Sequence, residues 1–167
     1  FFLTYLLIDR LIDSRASIIN TSSVANRLYG HVDLDNLNSE RSYSANLAYG
    51  NAKLEQIMFT RELQKRLGSQ GLAAAAFHPG IVRTNFSKSP GASMESIYGS
   101  KIFSKFLSSP AKGADTMVWL AEGKANIDWP SGEFFNRRKI SRPNQQANDP
   151  LLSAALWEES KSLLSLA

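Results

Sequence analysis

The stretch "GLAAAAFHPG" at residues 71–80 constrains the fold more than any other part of the chain. Its apolar residues follow one another without the alternation of a strand that has one face in water. They therefore predict a strand that is covered on both faces, as strands are in parallel sheets between layers of helices. Pro79 and Gly80 are expected to end this strand, because both residue types favour turns over the hydrogen-bond ladder of a sheet.

The segments around this strand alternate between helical and extended patterns. Apolar residues at helical spacing predict helices, and short β-branched or aromatic runs predict strands. In chain order we expect a helix over residues 1–13, a buried strand over 16–20, a helix over 44–67 with Gly68 as its candidate C-cap, a helix over 110–122, a short strand over 132–136 and a terminal helix that begins near Pro150. This alternation predicts an α/β protein with a parallel sheet covered by helices.

Two long connections separate these elements. Residues 24–43 are polar and predict a long loop, and residues 81–109 predict an irregular segment with one or two short helices. Loops of this length inside a compact domain are often functional. In open parallel sheets, ligands bind beyond the carboxyl ends of the strands. The two candidate ends here are "TSS" at residues 21–23 and "HPG" at residues 78–80.

Composition and length narrow the class of protein. A chain of 167 residues can form one domain with its own core, and we expect a single domain over residues 1–167. The absence of cysteine excludes disulfides and thiolate metal sites. The apolar opening "FFLTYLLI" ends at Asp9 and is too short to span a bilayer, so no transmembrane segment is expected. Phe1 opens a helical pattern that has no N-cap, so we expect the true start of the protein to lie upstream. We expect a cytoplasmic protein, with a membrane anchor upstream of Phe1 as the alternative.

Neither nucleic-acid binding nor metal binding is indicated. The net charge of +4 rests partly on a short run of basic residues without interleaved aromatics, which predicts a solvated surface. This run consists of Arg137, Arg138, Lys139 and Arg142. Three possible metal ligands, His31, Asp33 and Asp35, lie close in sequence but lack a fourth ligand, so no metal is expected.

The stretch "AYGNAK" at residues 48–53 places Tyr49 and Lys53 four positions apart, on one face of the helix predicted there. A neighbouring ammonium favours the phenolate and lowers the tyrosine pKa from its ordinary value of about 10. Such a tyrosine can donate and accept protons near neutral pH. A hydroxyl from "NTSS" could hold a carbonyl oxygen beside the phenol. The alternative is a half-exposed pair of side chains without a catalytic role.

Three motifs in this order, "IINTSS", "YGNAK" and "HPGIVRT", resemble the short-chain dehydrogenase/reductase superfamily. The long segment "VDLDNLN…YSANLAY" resembles the retinol dehydrogenase-like branch of that superfamily. The resemblance implies a Rossmann-like doubly wound parallel sheet. The chain would be its C-terminal part, because the family's first strands, Gly-rich turn and catalytic asparagine do not appear.

The resemblance also implies the roles of individual residues. Ser23, with Ser22 as the alternative, would hydrogen-bond the substrate oxygen. Tyr49 would be the general acid in reduction and the general base in oxidation. Lys53 would lower the pKa of Tyr49 and bind the nicotinamide ribose.

The cofactor implied by the resemblance is NAD or NADP, with NADP slightly favoured, and the hydride would come from that cofactor. Pro79, Gly80 and Ile81 would line the nicotinamide, and Thr84 would bind its carboxamide or the diphosphate. His78 is expected to be structural.

The function expected from the resemblance is that of an NAD(P)-dependent oxidoreductase which interconverts an alcohol and a ketone or aldehyde. The substrate is expected to be lipophilic, because an apolar segment stands where the family has its substrate lid. The candidate lining residues are Met94, Ile97, Tyr98, Ile102, Phe103, Phe106 and Leu107. The alternative for these residues is ordinary burial of a helix face. The resemblance also implies a homodimer or homotetramer, because many family members pair through the helix that carries the tyrosine and lysine. Residues 1–167 alone are expected to be inactive, and the alternative is a non-catalytic remnant or binding module of the same fold.

Overall fold

The computed structural model describes residues 1–80 and 109–166. Its helices are α1 (Phe2–Leu6), α2 (Ile8–Asp13), α3 (Ala25–Leu28), α4 (Ala45–Leu67), α5 (Pro110–Glu122) and α6 (Pro150–Leu163). Its strands are β1 (Ser17–Thr21), β2 (Ala73–His78), β3 (Phe134–Asn136) and β4 (Lys139–Ile140). Short 3-10 helices cover Leu34–Asn36, Gly68–Gln70 and Gln145–Asn148. The predicted alternation of helices and strands is confirmed over these ranges.

The strands form one sheet in the order β1-β2-β3-β4. β1 pairs with β2 in parallel, with Ile19 opposite Ala75, and β2 pairs with β3 in parallel, with Phe77 opposite Phe135. The predicted parallel sheet is therefore confirmed for these three strands. β4 was not expected, and it returns antiparallel to β3 after a two-residue turn.

β2 is the buried centre of the sheet, as its sequence predicts. All six of its residues are buried. Ala74 and Ala76 belong to the apolar clusters that α4 and α6 share, whereas Ala75 and Phe77 pack in the cluster that contains Leu120 of α5. Helices therefore cover both faces, which confirms the doubly wound arrangement.

α4 buries the side that faces β2, with Leu54, Ile57 and Met58 fully buried. Leu47 shares the helical spacing of these apolar residues, but it lies in the first turn of α4 and is 51% exposed. Gly68 is the C-cap as predicted, but its φ of −61° is right-handed. The chain continues through a 3-10 turn, and Gly71, with φ 93°, is the left-handed residue that ends it.

Three further expectations need correction. The strand predicted over 16–20 is not fully buried, because β1 has a neighbour on only one side among the described residues and its central residues are half-buried. The helix predicted over 1–13 is interrupted at Leu7, whose N–H is shared between two carbonyls. The loop predicted over 24–43 contains α3 and a 3-10 helix, and only Ala25 and Asn26 of α3 face inward, too few to produce an apolar pattern.

Aromatic side chains of Phe1, Phe59 in α4 and Trp157 in α6 pack together. The Trp157 ring of α6 lies 5.0 Å from that of Phe1 and 5.7 Å from that of Phe59. Trp157 is 5% exposed and packs with Leu63 and Leu72. Trp157 is therefore part of the core.

Candidate active site

The ends of β1 and β2 lie side by side at one edge of the sheet. Thr21 is opposite Phe77 in the parallel pairing, and the N–H of Ser22 donates to the carbonyl oxygen of Phe77 at 2.8 Å. The ladder thus continues one residue beyond β1. Both predicted strand ends, with Ser23 after one and Pro79 after the other, therefore leave the sheet on the same side.

Tyr49 and Lys53 lie together in the first half of α4, next to this edge. The Lys53 Nζ is 5.5 Å from the centroid of the Tyr49 ring and donates to the Thr21 carbonyl oxygen at 3.2 Å. Both side chains are half-buried. Burial lowers the pKa of Lys53 below its ordinary value. The structure thus brings the predicted pair to the end of β1.

The two candidate serines have different surroundings. The Ser22 side chain is buried, with 1% of the residue exposed, and its Oγ donates to the Lys53 carbonyl oxygen at 2.6 Å. Ser23 is half-buried, and its Oγ accepts from the Ala25 N–H at 3.2 Å. A hydroxyl that accepts one hydrogen bond can still donate its own proton. Ser22 therefore joins strand to helix, and Ser23 presents a hydroxyl that can donate.

A close contact between two glycines sets the distance between α4 and the segment after β1. A Cβ on Gly50 would lie 2.6 Å from the Cβ of Tyr29 and 2.8 Å from the N of Gly30. Only glycine allows the two backbones to come this near. A glycine inside a long helix costs about 1 kcal/mol relative to alanine, and such a residue usually has a packing reason. The glycine in "AYGNAK" is therefore a sequence signal for this close contact.

The end of β2 places Pro79 and Gly80 at the same edge, both half-buried, with Gly80 at φ 83°. His78 is 8% exposed. Its pKa is lowered by burial and by the nearby charge of Arg137, so its imidazole is neutral at physiological pH. Ile81, Thr84 and the lid candidates between residues 94 and 107 lie outside the described residues.

Other features of the described residues bear on the remaining expectations. The basic run of residues 137–139 and 142 is exposed, as predicted, and Arg138 forms an ion pair with Asp115. Within residues 1–80 and 109–166, no three His, Asp or Glu side chains are grouped as metal ligands would be. In the same part of the chain, no helix combines the length and apolar character needed to cross a bilayer.

A groove of about 170 Å³ lies between α4 and α6, lined by residues that include Glu55, Phe59 and Trp157. Neither Tyr49 nor Lys53 lines it. Burial raises the pKa of Glu55 above its ordinary value. The groove is therefore a separate feature from the edge of the sheet where the candidate residues meet.

Comparison with known proteins identifies relatives over nearly the whole chain. Human retinol dehydrogenase 13 is 37% identical over 171 aligned residues, which cover 99% of this chain and 51% of the relative. The chain thus spans about half the length of the relatives it matches. No model of a known protein family matches it.

Solved structures share the fold. An uncharacterized protein from Mycobacterium paratuberculosis aligns with a TM-score of 0.66 and 27% identity, over 90% of this chain and 50% of that one. The NADPH-bound carbonyl reductase from chicken fatty liver aligns with a TM-score of 0.51 and 24% identity, over 75% of this chain and 42% of that one. The resemblance of the chain to the short-chain dehydrogenase/reductase superfamily, and within it to the retinol dehydrogenases, is therefore confirmed.

Proposed function

We propose that the protein is an NAD(P)-dependent oxidoreductase that interconverts a lipophilic alcohol and its aldehyde or ketone. The observation that carries this proposal is the position of Lys53. Its Nζ lies 5.5 Å from the Tyr49 ring centroid and is held by the Thr21 carbonyl, at the edge of the sheet where Ser23 and Gly80 also lie. The retinol dehydrogenases to which the chain is similar support an alcohol substrate.

Tyr49 is the proton donor in the reducing direction. Its hydroxyl gives its proton to the carbonyl oxygen of the substrate, and the resulting phenolate is stabilised by the Lys53 ammonium. In the oxidising direction the phenolate takes the proton from the alcohol. Lys53 stays in place through both directions, because the Thr21 carbonyl holds its Nζ.

Ser23 positions the same oxygen of the substrate. Its Oγ accepts from the Ala25 N–H, which orients the hydroxyl and leaves its proton available. The substrate oxygen would then accept two hydrogen bonds, from Tyr49 and from Ser23. Two donors fix the oxygen more closely than one and stabilise the charge that develops on it. Ser22 is not suited to this role, because its Oγ is buried and donates to Lys53.

The residues at this edge fit a nicotinamide nucleotide. One N–H of the Lys53 ammonium is used by Thr21, and the other two can donate to ribose hydroxyls. The backbone at Gly80 has no Cβ and a left-handed φ of 83°, which lets a flat ring approach it. A bound NAD or NADP would supply or accept the hydride. Contacts of Ile81 and Thr84 with the nicotinamide half remain predictions.

The test is the substitution Tyr49→Phe in the protein as its source expresses it, with any residues that precede Phe1. Reduction of a panel of long-chain aldehydes and retinal is followed by the absorbance of NADH or NADPH. Because general acid–base catalysis contributes roughly 10²- to 10⁴-fold, kcat is expected to fall by about that factor. Nucleotide binding, measured by calorimetry, is expected to persist.

Tyr43→Phe is the matched control, because it removes the same hydroxyl from a tyrosine that is 75% exposed just before α4. Its kcat is expected to equal that of the parent protein. Equal turnover of the parent and Tyr49→Phe would refute the role of Tyr49. A parent protein that binds neither nucleotide would favour a non-catalytic binding module.

A further inference from the structure

We propose that Asn26 is a positioning residue for Ser23, which it holds through the Ser23 carbonyl group. This inference rests on the proposed function, in which the Ser23 hydroxyl contacts the substrate oxygen. Asn26 lies in α3, three residues after Ser23, and is 0% exposed. Most buried side-chain amides are hydrogen-bonded. The hydrogen-bond partners of the Asn26 amide therefore show which parts of the chain it connects.

Both ends of the Asn26 amide are occupied. Its Nδ2 donates to the Ser23 carbonyl oxygen at 2.5 Å, and its Oδ1 accepts from the backbone N–H of Asn144 at 2.8 Å. The backbone N–H of Asn26 donates to the same Ser23 carbonyl at 3.1 Å. The Ser23 carbonyl oxygen therefore accepts two hydrogen bonds from one residue.

Ser23 needs such support because regular structure does not reach it. The last ladder bond of β1 is made by Ser22, and the chain then turns into α3, which has only four residues. A helix of one turn is not stable by itself. Without the Asn26 side chain, Ser23 would be held by the backbone N–H groups of Ala25 and Asn26, which belong to this short turn.

The segment of Asn144 and Gln146, which contacts Asn26, also contacts the chain that follows α3. The Asn144 Nδ2 donates to the Gly30 carbonyl at 2.8 Å. The Gln146 Oε1 accepts from the Val32 N–H at 2.9 Å, and its Nε2 donates to the Val32 carbonyl at 3.1 Å. Asn26 and Gln146 thus each accept one and donate one hydrogen bond, but only Asn26 contacts Ser23.

This symmetry provides a matched pair of variants. Asn26→Leu and Gln146→Leu each replace an amide by an apolar side chain of similar size and delete two hydrogen bonds. Both are expected to lower the melting temperature. Only Asn26→Leu is expected to lower kcat, by up to roughly a hundredfold, because a misplacement of about 1 Å at a reacting group can cost that much. The KM for the nucleotide is expected to stay the same in both.

A double-mutant cycle with Ser23→Ala separates positioning from general damage. If Asn26 acts through the Ser23 hydroxyl, Asn26→Leu has no further effect on kcat once that hydroxyl is absent. Asn26→Ala, which introduces no bulk, gives the same reading where the leucine variant does not fold.

Two results would overturn the inference. One is an equal fall in kcat for Asn26→Leu and Gln146→Leu, and the other is an undiminished effect of Asn26→Leu in the Ser23→Ala background. Full activity of Tyr49→Phe would instead overturn the proposed function.

Discussion

Gly50→Ala tests whether the contact between α4 and the segment after β1 sets the geometry of the site. Gly50 is buried and directly follows Tyr49. A Cβ there would lie 2.6 Å from the Tyr29 Cβ, 2.7 Å from its carbonyl carbon and 2.8 Å from the Gly30 N. None of these three atoms belongs to the flexible end of a side chain, so the segment as a whole must move.

The expected cost follows from two opposing effects. Alanine is favoured over glycine inside a helix by about 1 kcal/mol. Overpacking of a close contact costs about 1–3 kcal/mol, and the upper part of that range applies because backbone atoms are involved. The net loss of unfolding free energy is about 1–2 kcal/mol. For a chain of this size, the melting temperature should fall by about 2–8 °C.

We expect kcat to fall by more than the loss of stability alone would cause. Non-bonded carbon atoms pack at about 3.5–4.0 Å, so Tyr29 and Gly30 must retreat from α4 by roughly 1 Å. A displacement of that size between catalytic groups can cost about 10²-fold in rate. Thermal unfolding by circular dichroism and kcat for aldehyde reduction measure the two effects.

Gly68→Ala is the matched control. Gly68 has a helical φ of −61°, but its new Cβ would meet the end of the Gln64 side chain rather than the backbone. Moving that side chain removes its hydrogen bond with the Ser131 Oγ, so the melting temperature should fall slightly. The kcat should equal that of the parent protein, because Gly68 lies at the opposite end of α4 from Tyr49. A Gly50→Ala protein that is more stable than the parent and equally active would show that the glycine contact has no structural role.

Two further predictions concern the charges of a half-buried and a buried carboxylate, Glu55 and Glu62. Burial raises the pKa of Glu55, so its ionised form opposes folding at neutral pH and this cost disappears as the pH falls through the raised pKa. Glu55→Gln should therefore raise stability to urea at about pH 7 but change it little at about pH 4, below the ordinary glutamate pKa; equal gains at both pH values would contradict this. The Glu62 side chain is 3% exposed and pairs with Arg66 at 2.6 Å and with Lys65 at 3.7 Å. Arg66→Met should lower the free energy of unfolding by about 3 kcal/mol, because it removes the nearer partner of a buried carboxylate. Arg66→Lys should lower it by less. Unchanged stability of Arg66→Met to urea would refute this prediction.

The elements that the sequence predicts well are those with local signals. α5 begins at Pro110, after Ser109 whose side chain caps the helix, and α6 begins at Pro150 after the cap Asp149. Each signal lies within a few residues of the boundary it defines. β2 is equally clear, because a run of apolar residues needs no partner to be recognised.

β4 shows why other elements escape prediction. Its two-residue turn from β3 has Arg137 at φ 52° and Arg138 at φ 59°. Turns with two left-handed residues usually carry Asn-Gly or a similar pair, so the two arginines give no sign of one. The turn is supported instead by Asp115 and Thr116 of α5, which accept hydrogen bonds from Arg138. Such support comes from residues distant in sequence, and no local pattern reveals it.

The candidate site likewise has one part that the sequence predicts and one part that only the fold reveals. The spacing of Tyr49 and Lys53 is a side-chain pattern, and it could be read before the fold was known. Their attachment to the sheet is made by main-chain atoms, namely the Thr21 carbonyl that accepts from Lys53 and the Lys53 carbonyl that accepts from Ser22. Every residue has a carbonyl group, so only the fold could show which ones hold the site together.

Lys53 therefore joins α4 to β1 through two separate atoms. Its Nζ contacts Thr21, and its carbonyl oxygen contacts the Ser22 hydroxyl. The second bond does not depend on the lysine side chain. A change of that side chain removes the charge beside Tyr49 while the strand end that carries Ser23 stays attached to the helix. The electrostatic role proposed for Lys53 can thus be separated from the architecture of the site, whereas at Gly50 and Asn26 the architecture itself is what a substitution changes.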